Sequence, residues 1–150
     1  MEHFTDTVMY EIELTSRYIK HMGGRLFSQL GFKITPEEYT ALDTINVYQN
    51  ICQRDLAKLI LKDRATTGRL VESLEKKGLI SRSVDTKNNR LVRKLSVTKK
   101  GLDNVQSITK DIQKKLEKIS KVISEVEIEN LKNGIRTFRA GLEKLIELKI

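Results

Sequence analysis

Apolar residues recur over the first thirty positions at mostly helical spacings, with Phe4, Val8, Ile12, Ile19, Met22, Leu26, Phe27 and Leu30 carrying the pattern. It predicts a helix over residues 4–30, ended by Gly31 in the position where a left-handed residue closes a helix. A second helix starts almost at once. In TPEE, Thr35 can cap, Pro36 takes the first helical position, and Glu38 stands where a capping box needs it. Tyr39, Leu42, Ile45 and Val47 supply its apolar side. After the loop YQNI, the segment CQRDLAKLI predicts a short third helix with Leu56, Ala57 and Leu59 or Ile60 inward. Asp63 can cap a fourth. Only a tight turn fits between Leu59 and Asp63, so the two helices read as a helix-turn-helix.

In the fourth helix, Thr67, Leu70, Val71 and Leu74 fall at i, i+3, i+4 and i+7 and form a core face. Gly78 closes it. LISRSV and LVRKLSV then flank the polar stretch DTKNNR, which is a hairpin signal. Thr98, in VTKKG, opens a long helix expected to run to about residue 122. The last helix spaces Ile128, Leu131, Ile135, Phe138, Leu142 and Leu145 by alternating steps of three and four, a narrow stripe suited to packing on another helix. The fold class is therefore mainly α with a small β-hairpin. The stripe could be covered by the chain's own helices or by a partner subunit, and the first helix with the last two offers more apolar surface than a small helix-turn-helix domain needs.

Composition narrows the class without changing that outline. The chain has 150 residues, 39% of them hydrophobic and 32% charged, with one Pro, as expected of a single helical globular domain. No apolar run is long enough to span a membrane, and the acidic start MEHFTDTVMYEIEL does not resemble a signal peptide, so the expected location is the cytoplasm, with no membrane partner. The single cysteine, Cys52, agrees with a reducing compartment.

Charge changes the picture more. The net charge is +8, but residues 53–100 hold fourteen Lys and Arg against five Asp and Glu, while the rest of the chain is close to neutral. A basic block within the folded middle third suits a polyanion, because each neutralised phosphate releases counterions; the plainer reading is a solvated, Lys-rich surface. On the fourth helix the face opposite the core carries Ala65, Gly68, Arg69, Glu72 and Lys76, with Arg64 and Thr66 beside it. Small residues at 65 and 68 let a helix approach base edges in a major groove; Ala65 offers a methyl to thymine, and Arg64, Arg69 and Thr66 can bond to bases or phosphates. The hairpin places Lys87, Asn88, Arg90, Arg93 and Lys94 around its tip, and Arg90 is the candidate for a narrow minor groove. Alone, such a hairpin is equally well a charged edge that resists sheet aggregation. A helix-turn-helix followed directly by a basic wing is far more specific than either part.

The continuous run CQRDLAKLILKDRATTGRLVESLEKKGLISRSVDTKNNRLVRKLSVTKKGL, residues 52–102, resembles the MarR family of winged-helix transcription regulators. It is similar to the family's short helix with LA, its recognition helix ending LxxKGLIxR, its Asp-x-Arg wing and its LTxxG helix start. The resemblance implies one domain over residues 1–150, in which 1–32 and 98–150 form dimerisation helices around a winged lobe at 33–97. It implies a homodimer on pseudo-palindromic double-stranded DNA, with half-sites about one helical turn apart. Most such proteins are repressors, and many release DNA when a small aromatic ligand binds between the dimer helices and the lobe. The recognition role falls on Arg64, Ala65, Thr66, Gly68 and Arg69, and the wing role on Arg90. Two departures stand out. Asn88 replaces the Asp that often precedes the wing arginine, leaving Asp85 as the substitute carboxylate, and the stretch from Arg90 to Thr98 is one residue longer than in many members.

Other classes find little support. There is no Gly-rich phosphate loop and no nucleophile motif, so an enzyme is not expected, and no Cys/His cluster calls for a metal or cofactor. Cys52 begins the third helix, where a thiol can be reactive; the plainer reading is a small residue at a helix start. The main alternative function is an architectural, nucleoid-type DNA binder that senses no ligand.

Overall fold

A computed structural model describes residues 3–145, apart from the side chain of Lys87. The outermost ends of the two expected dimerisation segments, residues 1–2 and 146–150, lie outside the described residues. After one 3-10 turn at Phe4–Asp6, helix α1 (Val8–Gln29) begins where Thr7 accepts the Tyr10 N–H at 3.3 Å, four residues later than the apolar spacing predicts. Gly31, at φ +69°, ends it in a reverse turn in which the Phe32 N–H reaches the Phe27 carbonyl at 3.1 Å. Helix α2 (Pro36–Val47) has the capping box that the sequence predicts, with Thr35 accepting from the Glu38 N–H at 3.1 Å and Glu38 accepting from the Thr35 N–H at 2.7 Å.

Strand β1 (Ile51–Cys52) occupies the segment expected to be a loop running into the third helix, and Cys52 also stands just before α3 (Gln53–Leu59) without a side-chain hydrogen bond to its backbone. Helix α4 (Arg64–Lys76) starts on Asp63, as its sequence predicts. Strands β2 (Ile80–Lys87) and β3 (Arg90–Val97) form the hairpin, and β1 joins it to give a three-stranded antiparallel sheet in the order β1-β3-β2. Asn88 and Asn89, at φ 53° and 58°, make the two-residue turn whose left-handed pair matches the twist of a tight hairpin.

Helix α5 (Lys99–Leu116) opens on Thr98 but stops six residues short of the expected end. Beyond Leu116 the sequence brings Lys114, Lys115, Lys118 and Lys121 into like-charged i, i+3 and i, i+4 pairs among β-branched Ile119, Val122 and Ile123, which disfavours further helix. A 3-10 turn at Ile119–Lys121 follows, and Ser124 and Glu127 then form a capping box that starts α6 (Glu125–Leu145).

The core lies in the lobe. Ala41, Leu42 and Ile45 of α2, Leu56 of α3, Val71 and Leu74 of α4, Leu79, Ile80 and Leu95 pack with Phe27, Ile34, Val105 and Ile108. Its packing thus runs past residues 33–97 at both ends. By contrast α6 buries no residue, and Phe27 is the one buried residue of α1.

Candidate nucleic-acid interface

The turn between α3 and α4 is shaped by a residue without glycine's freedom. Leu61 takes φ 52°, and the Lys62 N–H closes on the Ala57 carbonyl at 3.0 Å. Asp63 then accepts the Thr66 N–H at 2.7 Å, and α4 begins. Its inner face is the predicted one. Thr67, Val71 and Leu74 are buried, Leu70 packs against the core, and the Thr67 hydroxyl donates to the Asp63 carbonyl at 2.8 Å.

On the outer face Arg64, Ala65 and Arg69 are exposed, while Thr66 and Gly68 are half-buried. A Cβ at Gly68 would stand 3.3 Å from Gln53 Nε2, so the close approach that this glycine permits includes that of α3's own first side chain. The Thr66 hydroxyl donates to Asp63 Oδ2 at 2.8 Å and accepts from the Arg69 guanidinium at 3.1 Å. The Thr66 N–H and hydroxyl hold the Asp63 carboxyl below its ordinary range, and the nearby Arg69 charge adds to them.

Beside this face, a hollow of about 460 Å³ is lined by Arg54, Ala57, Lys58, Leu61, Lys62, Asp63 and Arg64, and a smaller one by Gln53, Arg54 and Arg64. Arg54 and Lys58 are not among the candidates that the sequence singles out. Their signal is the i, i+4 spacing on the exposed side of a short helix whose inner residues the apolar pattern already assigns. Lys62 is partly committed, donating to Glu37 at 2.8 Å and holding that carboxyl below its usual range.

The far end of α4 is anchored. Lys77 donates to both oxygens of the buried Glu38 at 2.7 Å, and the Ser73 hydroxyl donates to the same carboxylate. Burial pushes the Glu38 carboxyl up, but Lys77, Ser73 and the Thr35 N–H outweigh it and leave it below its ordinary value. Glu38 therefore caps α2 and pins α4 with one side chain.

The wing divides the sequence's basic candidates between two faces. Antiparallel partners share a face and neighbours alternate, so Arg90 and Lys94 lie on one side of β3, while Arg93 lies on the side of buried Leu95. This settles the facing of the second wing strand, which the extra residue leaves open in the sequence. Asp85 pairs with Lys94 and is held below its usual range chiefly by that contact, so it does not replace the carboxylate missing at Asn88. Arg90 and Arg93 are exposed, Asn88 forms the turn itself, and the predicted role of the Lys87 side chain lies outside the described residues. At the other end of β3, the Cys52 thiol donates to Asp55 Oδ2 at 3.0 Å.

Among the described residues, no three His, Cys, Asp or Glu side chains are grouped as metal ligands, and no helix is long and apolar enough to cross a membrane.

Two packed short helices, an outward-facing basic second helix and a following β-hairpin define a winged helix-turn-helix protein. The sequence model of the MarR family matches residues 34–92, the part that holds α2 to the start of β3. The HTH-type transcriptional regulator YybA of Bacillus subtilis (strain 168) is 31% identical over 96 residues, 63% of this chain and 61% of that protein, so the chain matches less than two thirds of this relative. Among solved structures, the transcriptional regulator SlyA aligns with a TM-score of 0.75 and 26% identity over 91% of this chain and 94% of its own. The S. aureus MepR–DNA complex aligns with a TM-score of 0.74 and 25% identity over 93% of this chain and 99% of the other. Over residues 34–92 the chain is similar to the MarR family, and its fold is that of the SlyA and MepR structures.

Proposed function

We propose that the protein is a homodimeric, sequence-specific regulator of transcription that places α4 in the major groove of double-stranded DNA and the wing in the adjacent minor groove. The observation that carries this reading is the union of Arg64, Ala65 and Arg69 on the outer face of α4 with the basic hollow of Arg54 and Lys58 beside it. Exposed arginines next to a small side chain suit base readout, and the cations around the hollow suit phosphates. The MepR relative was solved with DNA, which supports the same partner class here. Residues 33–97 form the DNA-binding lobe in this reading, and 1–32 with 98–150 supply the pairing helices. The exposed Phe4, Val8, Ile19 and Met22 of the N-terminal segment and Leu131 of α6 support the pairing. Repression, and its release by a small aromatic ligand, rest on the resemblance to the MarR family alone.

The test is binding to a duplex carrying the protein's own upstream intergenic DNA, against a scrambled duplex and at two salt concentrations. If the upstream duplex gives no preference, the comparison is repeated with a duplex obtained by unbiased site selection. A preference of about 10³-fold or more is expected of a sequence-specific regulator. Equal, steeply salt-dependent binding to selected and scrambled DNA would overturn this reading in favour of an architectural binder. Adding candidate phenols to the preferred duplex tests release.

A further inference from the structure

Thr66 has a side chain of the right type to read DNA directly, but its hydrogen bonds are already directed elsewhere. A hydroxyl has one proton to give. That of Thr66 goes to Asp63 Oδ2 at 2.8 Å, and its oxygen accepts an Arg69 guanidinium N–H at 3.1 Å. Asp63 is fixed in turn, because its other oxygen accepts the Thr66 N–H at 2.7 Å as the cap of α4. The three residues form a directed chain from guanidinium to hydroxyl to carboxylate on the outer side of the helix. One guanidinium N–H is used, leaving the others free to face a ligand.

We infer that Asp63 and Thr66 are positioning residues that hold Arg69 in the orientation from which it reads a guanine, so that sequence preference at that base depends on side chains that do not touch it. This rests on the DNA-reading assignment of α4 above. The chemistry is that of a preorganised donor pair. Guanine presents O6 and N7 to a bidentate arginine, and a guanidinium already held by a neighbour loses less freedom when it docks. The carboxylate has a second effect. Its negative charge opposes phosphates near the start of α4, so the chain favours a base-reading arginine while weakening indiscriminate contact.

The experiment compares a selected operator with a scrambled duplex for the wild type, Thr66→Val, Thr66→Ser, Arg69→Ala and the double variant Thr66→Val/Arg69→Ala, with thermal unfolding of each as a fold control. Thr66→Val keeps the backbone cap on Asp63 and the β-branched shape and removes only the hydroxyl. It is expected to lower operator affinity by roughly 2- to 12-fold, the scale of ordering one long side chain, with little change for scrambled DNA. Thr66→Ser should restore the preference, and in the Arg69→Ala background Thr66→Val should have no further effect. Asp63→Asn keeps the cap but removes the charge, and should tighten binding to scrambled DNA while lowering the operator preference. An undiminished preference in Thr66→Val, or an equal loss with and without Arg69, would overturn the positioning role, the second result assigning Thr66 to direct contact. A wild type that selects no duplex at all would overturn the DNA-reading assignment itself, and this inference with it.

Discussion

At the scale of single residues, Gly101 shows how much one hydrogen can matter. A Cβ there would lie 2.0 Å from the Leu79 carbonyl oxygen and 2.8 Å from Val97 Cγ1, so Gly101→Ala forces backbone apart where α5 crosses the turn after α4. The expected cost is about 3 kcal/mol or more, read as a lower urea midpoint. Gly24 is the contrast. A methyl placed there would meet nothing within 4 Å, and Gly24→Ala should stabilise by up to about 1 kcal/mol. On the wing, Arg90 and Lys94 share a face, but among the described residues only Lys94 has a carboxylate paired with it. Arg90→Ala should therefore lower the salt dependence of DNA binding by about one phosphate contact, and Lys94→Ala by less. Equal slopes in a salt titration would show that Lys94 leaves Asp85 when DNA binds. Residue roles of this kind are only partly legible in the sequence. The caps at Thr35, Asp63 and Thr98 can be read because cap and partner are three residues apart in the chain. The Lys94–Asp85 pair cannot, since it depends on hairpin register.

At the scale of elements, α4 is held from both sides. Glu38 joins the start of α2 to the end of α4, and the carbonyls that α4 leaves behind are met by the start of α5: Lys100 Nζ donates to the Lys77 carbonyl at 2.7 Å, the Thr98 hydroxyl to that of Gly78 at 2.7 Å, and the Thr98 N–H to that of Leu79 at 3.0 Å. The distant motifs KKGL and VTKKG are therefore two halves of one corner. Glu38→Gln removes a charged acceptor from Lys77 and should cost about 2 kcal/mol near neutral pH. Because folding lowers the Glu38 value, its contribution is present above the unfolded carboxylate range and is lost as pH falls through the lower folded value. The variant should accordingly show a shallower loss of stability on acidification; an acid limb as steep as wild type would remove Glu38 as its source. The pattern that locates α2 and α4 is strong because each has a cap and a buried face, while α3 is located by its buried Leu56 and Ala57 alone. Strand β1 escapes it, being two residues long with its partners at Leu95 and Lys94, far along the chain. The break before α6 is expected near residue 122, but its early start after Leu116 escapes, since no Gly or Pro marks it and it is set by lysine repulsion and the Ser124 cap.

At the scale of the whole molecule, the lobe closes its core together with Phe27 of α1 and Val105 and Ile108 of α5, while α1 and α6 leave other apolar residues open to solvent. Leu131→Glu with Leu142→Glu places two charges on the α6 stripe and is expected to give a monomer by sedimentation, with the lobe still folded and affinity for a two-half-site duplex sharply reduced. A fully dimeric double variant would place the pairing surface elsewhere. The absence of any buried side chain on α6 also separates two kinds of stability. In the proposed homodimer, melting of the lobe would be a property of one chain, whereas order in α6 would answer to mass action. If that pairing holds, dilution should broaden and lower the transition of α6 before it touches the lobe, and the protein's own concentration would set how much of it is poised to span two half-sites.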